Sequence, residues 1–326
     1  MRITPNRKRV LDVISSDSVE LDSSNDLYDK NSPFISNLFR DAGIVKPKTK
    51  GGWCLRQGMA HILTANGGAL VPVVKQEGAP KIYDSVNCRH QDSEDLIQEY
   101  KPDNCFQSLC RIIAGQQLAG SAASTIWNRL LITTGNNLTP QVIIELAEKG
   151  LESNLQKPAG LSLAKAKSIK ALSESFVSRE EETLTESFLS NGSEAEVREA
   201  LMKIKGIGPW SCDMFFIFSQ ECQDILPVTD LGVRNGIAKF FALKGKGKKG
   251  SLCQKKDLKL MKSVMQPYTP YRSIATYYMW KIADAKDMKI YGEDANTENI
   301  ETTRTVTKPE TPNKTLIKRS RRQVTP

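Results

Sequence analysis

The chain has 326 residues, 39% hydrophobic and 25% charged, long enough to bury at least one substantial core. Its net charge of +9 and isoelectric point of about 9.1 suit a polyanionic partner, nucleic acid being the commonest. The longest apolar runs, such as Leu70–Val74, are too short to span a bilayer, which argues against a membrane partner. Arg7, Lys8 and Arg9 precede no apolar segment of signal-peptide length, and acidic residues follow at Asp12, Asp17 and Glu20, which argues against secretion. Seven cysteines (54, 88, 105, 110, 212, 222 and 253) without a CxxC pair suit reduced intracellular thiols. Two histidines, His61 and His90, leave little for a histidine-based zinc site.

In chain order, residues 1–50 are rich in Ser, Asp and Asn and carry no sustained period. They are expected to be a disordered extension, with a short helix possible near Phe34–Arg40. Ala69–Lys75 can be a strand or, because of Pro72, a turn between helices. Phe106, Leu109, Ile112 and Ile113 then repeat at helical spacing behind a cap at Asp103 or Asn104. Ala122, Ile126 and Leu130 continue the pattern. Further helices are expected near 141–149, 162–177, 194–203, 210–219, 230–242, 255–265 and 270–284. Residues 51–292 thus read as one all-α domain of about ten helices. Residues 293–326 read as a disordered basic tail ending in Lys318, Arg319, Arg321 and Arg322, either an import signal, a phosphate-binding arm or a solvated tail.

Leu201–Phe216, "LMKIKGIGPWSCDMFF", reads as a helix, a tight glycine turn and a second helix. Gly206 and Gly208 allow close backbone approaches, and Pro209 suits a first helical position. The open amides at that helix start, Ser211 among them, can receive a phosphate without reading a base. A plain helix–turn–helix link has the same local pattern. Twenty-two residues after Gly208, "DILPVTDLGVRNGIAKFF" brings Asp230 to the front of another helix. An aspartate there is an ordinary N-cap, and a capping carboxylate is also held rigidly enough for catalysis.

Together these segments resemble the HhH-GPD superfamily of DNA glycosylases, with the helix-hairpin-helix at 196–218. Three more segments extend the resemblance: "FQSLCRIIAGQQLAGSAASTIWNRLL" at 106–131, "AGLSLAKAKSIKALSESF" at 159–176 and "PYTPYRSIATYYMWKIAD" at 267–284. The last is similar to the C-terminal helix of the AlkA-type 3-methyladenine branch. The resemblance implies an all-α fold with a cleft between two helical subdomains, and base excision repair on damaged double-stranded DNA. It also implies Asp230 as the catalytic carboxylate, Trp280 and Trp210 as walls of the base pocket, and Tyr277 and Tyr278 as further candidates. Gln117 matches the residue that fills the gap left by a flipped base. Backbone amides of Gly206 and Gly208 match the phosphate site, and the carbonyls of Met202, Ile204 and Ile207 match the ligands of a bound Na+ or K+. The tryptophans can equally be core residues, and Gln117 an exposed loop residue.

Bifunctional relatives carry a lysine where this chain has Trp210, so strand cleavage by β-elimination is not expected. After Cys222 only Cys253 remains, so no iron–sulfur cluster is expected and no cofactor is required. The resemblance therefore points to a monofunctional, monomeric glycosylase for alkylated purines, and the basic clusters at both ends point to the nucleus. The same fold acting on an oxidised or deaminated base, or a non-catalytic DNA-binding protein, is the alternative. The stretch Leu243–Lys262 holds eight lysines and one aspartate, and can add DNA affinity or be a solvated loop.

Overall fold

A computed structural model describes residues 28–42, 44, 48–83, 104–178, 184–247 and 250–285. All of these lie in the unit Met1–Lys289, and the basic tail at 293–326 and the first 27 residues lie outside the described residues. Among the described residues every regular element is helical. None of the helices is long and apolar enough to cross a membrane.

Short polar caps set half of the described α-helix starts. Ser32 caps α1 (Pro33–Asp41), Asn104 caps α4 (Cys105–Gly115), Thr139 caps α6 (Pro140–Glu148) and Ser162 caps α7 (Leu163–Val177). In each the side-chain oxygen accepts an amide hydrogen that no helical carbonyl can reach. Between them lie α2 (Leu55–Gly68), α3 (Val71–Glu77) and α5 (Gly120–Thr133). Thr185 caps α8 (Glu186–Asn191), and Ser193 with Glu196 forms a reciprocal capping box on α9 (Glu194–Met202). Then follow α10 (Pro209–Phe218), α11 (Leu231–Phe240), α12 (Leu258–Val264) and α13 (Arg272–Asp284).

The structure departs from two sequence expectations. Ala69–Lys75 is not a strand: α3 occupies Val71–Glu77, with Pro72 in the first turn, where no amide hydrogen is needed. Nor does the folded body begin at residue 51, because α1 buries Ile35 and Phe39 in a core it shares with the C-terminal helices.

There are two hydrophobic cores. The first is built from the middle of the chain, α4 to α10, around Phe106, Trp127, Ile169 and Phe215. The second joins α1, α2 and α3 to α11, α12 and α13 around Phe39, Met59, Val233, Tyr268 and Tyr278. The chain therefore leaves the second core after Tyr83, builds the first, and returns to the second near Leu226. Trp280 and Ile82 pack against both cores. Gly236 is required at the α11–α13 crossing, where a Cβ would lie 2.0 Å from the Met279 carbonyl oxygen.

Candidate active site

The hairpin between α9 and α10 is shaped by two glycines with different duties. Gly206 has φ +97°, and a Cβ there would fall 1.9 Å from Ser168 Oγ on α7. Its lack of a side chain both permits the backbone turn and seats the hairpin on α7. Gly208 is extended and is the N-cap of α10, and a Cβ on it would meet nothing within 4 Å. The space in front of that helix start is open. No side chain caps α10, and Pro209 occupies the first turn, so the amides of Trp210 and Ser211 have no helical acceptor.

Ser211 is only 2% exposed, and its hydroxyl accepts from Gln116 Nε2 at 2.9 Å. Any contact it makes to a ligand is confined to its amide. Gln116 also donates to the Gly206 carbonyl at 2.9 Å, so it clamps the end of α4 to the hairpin. Its neighbour Gln117 is exposed, with φ +59°, and Leu118 beside it is exposed too. In the pair of glutamines the first is thus a structural clamp and the second projects from the surface. Nothing in the local sequence separates the two.

Asp230 sits at the N-cap of α11, and both of its carboxylate oxygens are engaged. Oδ1 accepts from the Val233 amide at 2.8 Å and from Trp280 Nε1 at 2.9 Å. Oδ2 accepts from Trp210 Nε1 at 2.7 Å. A carboxylate offers about four acceptor sites, so the one left open is on Oδ2. The backbone before it is also fixed: the Asp230 amide donates to the Pro227 carbonyl at 2.9 Å. Arg234 Nη1 donates to the carbonyls of Val228 and Thr229 at 3.2 and 2.9 Å.

Both tryptophans singled out from the sequence therefore meet at one carboxylate, each through its indole N–H. Gly232 makes room for this, because a Cβ there would lie 2.9 Å from Trp280 Cδ1. Phe218, at the end of α10, stacks on Trp280 with ring planes 15° apart and centroids at 5.6 Å. It is 45% exposed, an open aromatic face that no motif in the surrounding sequence marks. Tyr277 differs from its expected place in the pocket. It is 7% exposed, packs edge-on against Tyr278 and carries Lys281 over its ring, so it is a core residue with little face to offer a base. Tyr278 is fully buried, with its hydroxyl donating to the Gly78 carbonyl at 2.8 Å.

The start of α13 secures the loop that leads to Asp230. Arg272 grips Asp224 through Nε at 2.7 Å and Nη2 at 2.8 Å, a bidentate pair. Ser273 donates to the Cys222 carbonyl and accepts from the Ile225 amide at 2.9 Å. The "RS" of the sequence is thus a fastening, and Trp280 continues it two turns later. On the other side of the hairpin, Arg198 of α9 pairs with Asp213 of α10 at 2.9 Å and with Glu194 at 2.8 Å. Burial pushes the Asp213 carboxyl up to about 6 against the pull of Arg198, with Glu194 and Asp230 adding like charge.

The hairpin, the open helix start and the capped aspartate coincide with a known family. The model of the HhH-GPD superfamily of base excision DNA repair proteins matches residues 110–262. The chain carries an HhH-GPD domain. Alongside it, DNA-3-methyladenine glycosylase 1 of Schizosaccharomyces pombe is 29% identical over 201 residues, covering 59% of this chain and 81% of that protein. The DNA-3-methyladenine glycosylase of Saccharomyces cerevisiae is 25% identical, covering 56% and 67% respectively. Among solved structures, the S. pombe enzyme in complex with abasic DNA aligns at 28% identity and a TM-score of 0.44, covering 56% of this chain and 84% of that one. Within the HhH-GPD domain lie the hairpin, Gln116, Gln117 and Asp230, whereas Trp280 and the Arg272–Asp224 fastening join it from α13 outside the matched segment.

Proposed function

We propose that the protein is a monofunctional DNA glycosylase that excises alkylated purines, such as 3-methyladenine, by hydrolysis of the N-glycosidic bond. The observation that carries this reading is the Asp230 carboxylate held by three N–H donors with one acceptor site left open on Oδ2. A base inside a duplex is out of reach of any such group, so the nucleotide must be turned out of the stack. As the bond breaks, positive charge grows on the sugar, and a fixed carboxylate beside it stabilises that charge without having to reorganise. The open site on Oδ2 can orient the attacking water. A purine alkylated at N3 or N7 is already cationic and leaves without an added acid.

The paired rings of Phe218 and Trp280 supply a stacking face for an electron-poor base. Gln117, exposed beside Leu118, is the residue proposed to fill the vacated gap, and the amides of Gly208 and Trp210 at the α10 start suit a phosphate. At the position where bifunctional relatives hold a lysine, Trp210 donates its indole N–H to Asp230, which supports a reaction without strand cleavage. A monovalent cation on the carbonyls of Met202, Ile204 and Ile207 belongs to the same proposal. The Ile204 carbonyl accepts the Ile207 amide at 3.1 Å and keeps a second lone pair. Such an ion would reinforce the positive end of α10. The working domain is proposed to extend the expected 51–292 segment back to α1, acting as a monomer in the nucleus.

The test is base release from alkylated duplex DNA by the wild type beside Asp230→Asn, with strand nicking assayed separately. Release by the wild type alone, with nicks only after alkali, is the expected result. Equal DNA binding without release by either protein would leave a binding module, and nicking without alkali would overturn the monofunctional reading.

A further inference from the structure

The lysine-rich segment that follows α11 is organised in an unexpected way. Its one acid, Asp257, is 4% exposed and faces inward. Asp257 Oδ2 accepts the amides of Lys246 at 2.7 Å and Cys253 at 2.8 Å, so its charge is spent inside the loop. Gly245 and Gly247 donate to the carbonyls of Gly250 and Ser251 at 2.7 and 2.8 Å. A Cβ on either would lie 2.3–2.6 Å from the facing backbone oxygen or hydroxyl, so the fold of this loop requires glycine at both places. Leu252, Met261 and Val264 anchor it in the second core. The segment is therefore a built element and not a slack insertion.

What its described residues present outward is positive charge. Lys244, Lys246, Lys255, Lys256, Lys259 and Lys262 are all exposed, and among the described residues none of them forms an ion pair. A strip held this tightly and left unpaired fits a regularly charged polyanion. It also begins away from the proposed reaction centre. Asp230 caps the start of α11, whereas the strip begins beyond its far end, about 15 Å of helix rise later.

We propose that this strip is a second DNA-contact surface, taking backbone phosphates of duplex outside the stretch held at the hairpin and supplying salt-dependent affinity that does not depend on damage. The choice of duplex DNA as the polyanion rests on the function proposed above. The charge display itself does not.

The experiment measures binding of the full chain to an undamaged duplex across a salt series. The wild type is compared with Lys255→Gln/Lys256→Gln/Lys259→Gln/Lys262→Gln and with the same four positions changed to Arg. For every phosphate that the strip no longer neutralises, the plot of log affinity against log salt should flatten by about 0.9. The Gln variant should therefore show a slope shallower by about 2–4 and an affinity at least tenfold lower near 0.1 M salt, and the Arg variant should match the wild type. Lys259→Gln/Lys262→Gln, confined to α12, should give about half the change and keeps the test sound if the larger variant folds poorly. A Gln variant with the wild-type melting temperature and the wild-type slope would overturn the proposal. So would a weakening confined to single-stranded RNA. Base release under saturating protein should be the same in all variants. If no protein releases a base while the slopes still change, the excision reading fails and the strip stands.

Discussion

Trp210 Nε1 donates to Asp230 Oδ2 at 2.7 Å, tying the first turn of the hairpin's second helix to the cap of α11. The two residues are twenty apart in sequence, and the bond makes the hairpin and the carboxylate one rigid unit. Trp280 supplies the matching bond to Oδ1 from the other core. The tryptophans are thus positioning residues for the carboxylate in addition to any stacking they do.

That duty separates from stacking by substituting Phe for Trp, which keeps an aromatic face and removes the donor. Trp210→Phe should slow single-turnover base release by about 10–100-fold, the worth of one hydrogen bond to a charged group. Affinity for damaged duplex should change by much less, since the proposed phosphate site relies on backbone amides. An equal drop in binding and in rate would mean that the ring, and not the N–H, is what matters.

The two hairpin glycines should respond oppositely to one added methyl. Gly206→Ala collides with Ser168 and forces a non-glycine residue into φ +97°, so it should destabilise the protein by about 1–3 kcal/mol in denaturant unfolding. Gly208→Ala meets only open space and should leave the unfolding midpoint nearly unchanged. If that open space receives a phosphate, the same variant should weaken DNA binding. A stable Gly208→Ala with full affinity would remove the phosphate from this position.

Asp213 makes stability depend on pH in a stated direction. Its folded carboxyl titrates near 6, above the ordinary aspartate value of 3.8, because burial outweighs the attraction of Arg198. Between these values the folded protein holds a proton that the unfolded chain has released, so the contribution of Asp213 to stability declines as pH rises through that window and is constant on either side. The decline should be about 1–3 kcal/mol, and Asp213→Asn should abolish it. Unfolding free energies of both proteins between pH 4 and 7 measure this directly. A wild-type curve that rises over the window would contradict it.

Several features were legible in the sequence because their causes are local. Asn104, Ser162 and Asp230 announce helix starts, since a cap acts within three residues of its own position. The glycine turn, Pro209 and the helical spacing of apolar residues announce the hairpin and the all-α class for the same reason. The strand allowed at Ala69–Lys75 failed where local signals are weakest, in a short apolar run that propensity cannot assign.

What the tertiary structure alone decided depends on partners far along the chain. α1 lies in the second core because Ile35 and Phe39 find their neighbours among helices at the other end of the molecule, which no local period records. Gln116 becomes the clamp and Gln117 the exposed residue because only the first faces Gly206 and Ser211, ninety or more residues away. Tyr277 is buried, and Phe218 stacks on Trp280, neither of which a local motif records. The sequence by itself determined most of the helices from Cys105 onward and that an aspartate caps one of them. The convergence of two indole donors on that aspartate comes from packing two cores against each other, and their side-chain directions exist only once both cores are built.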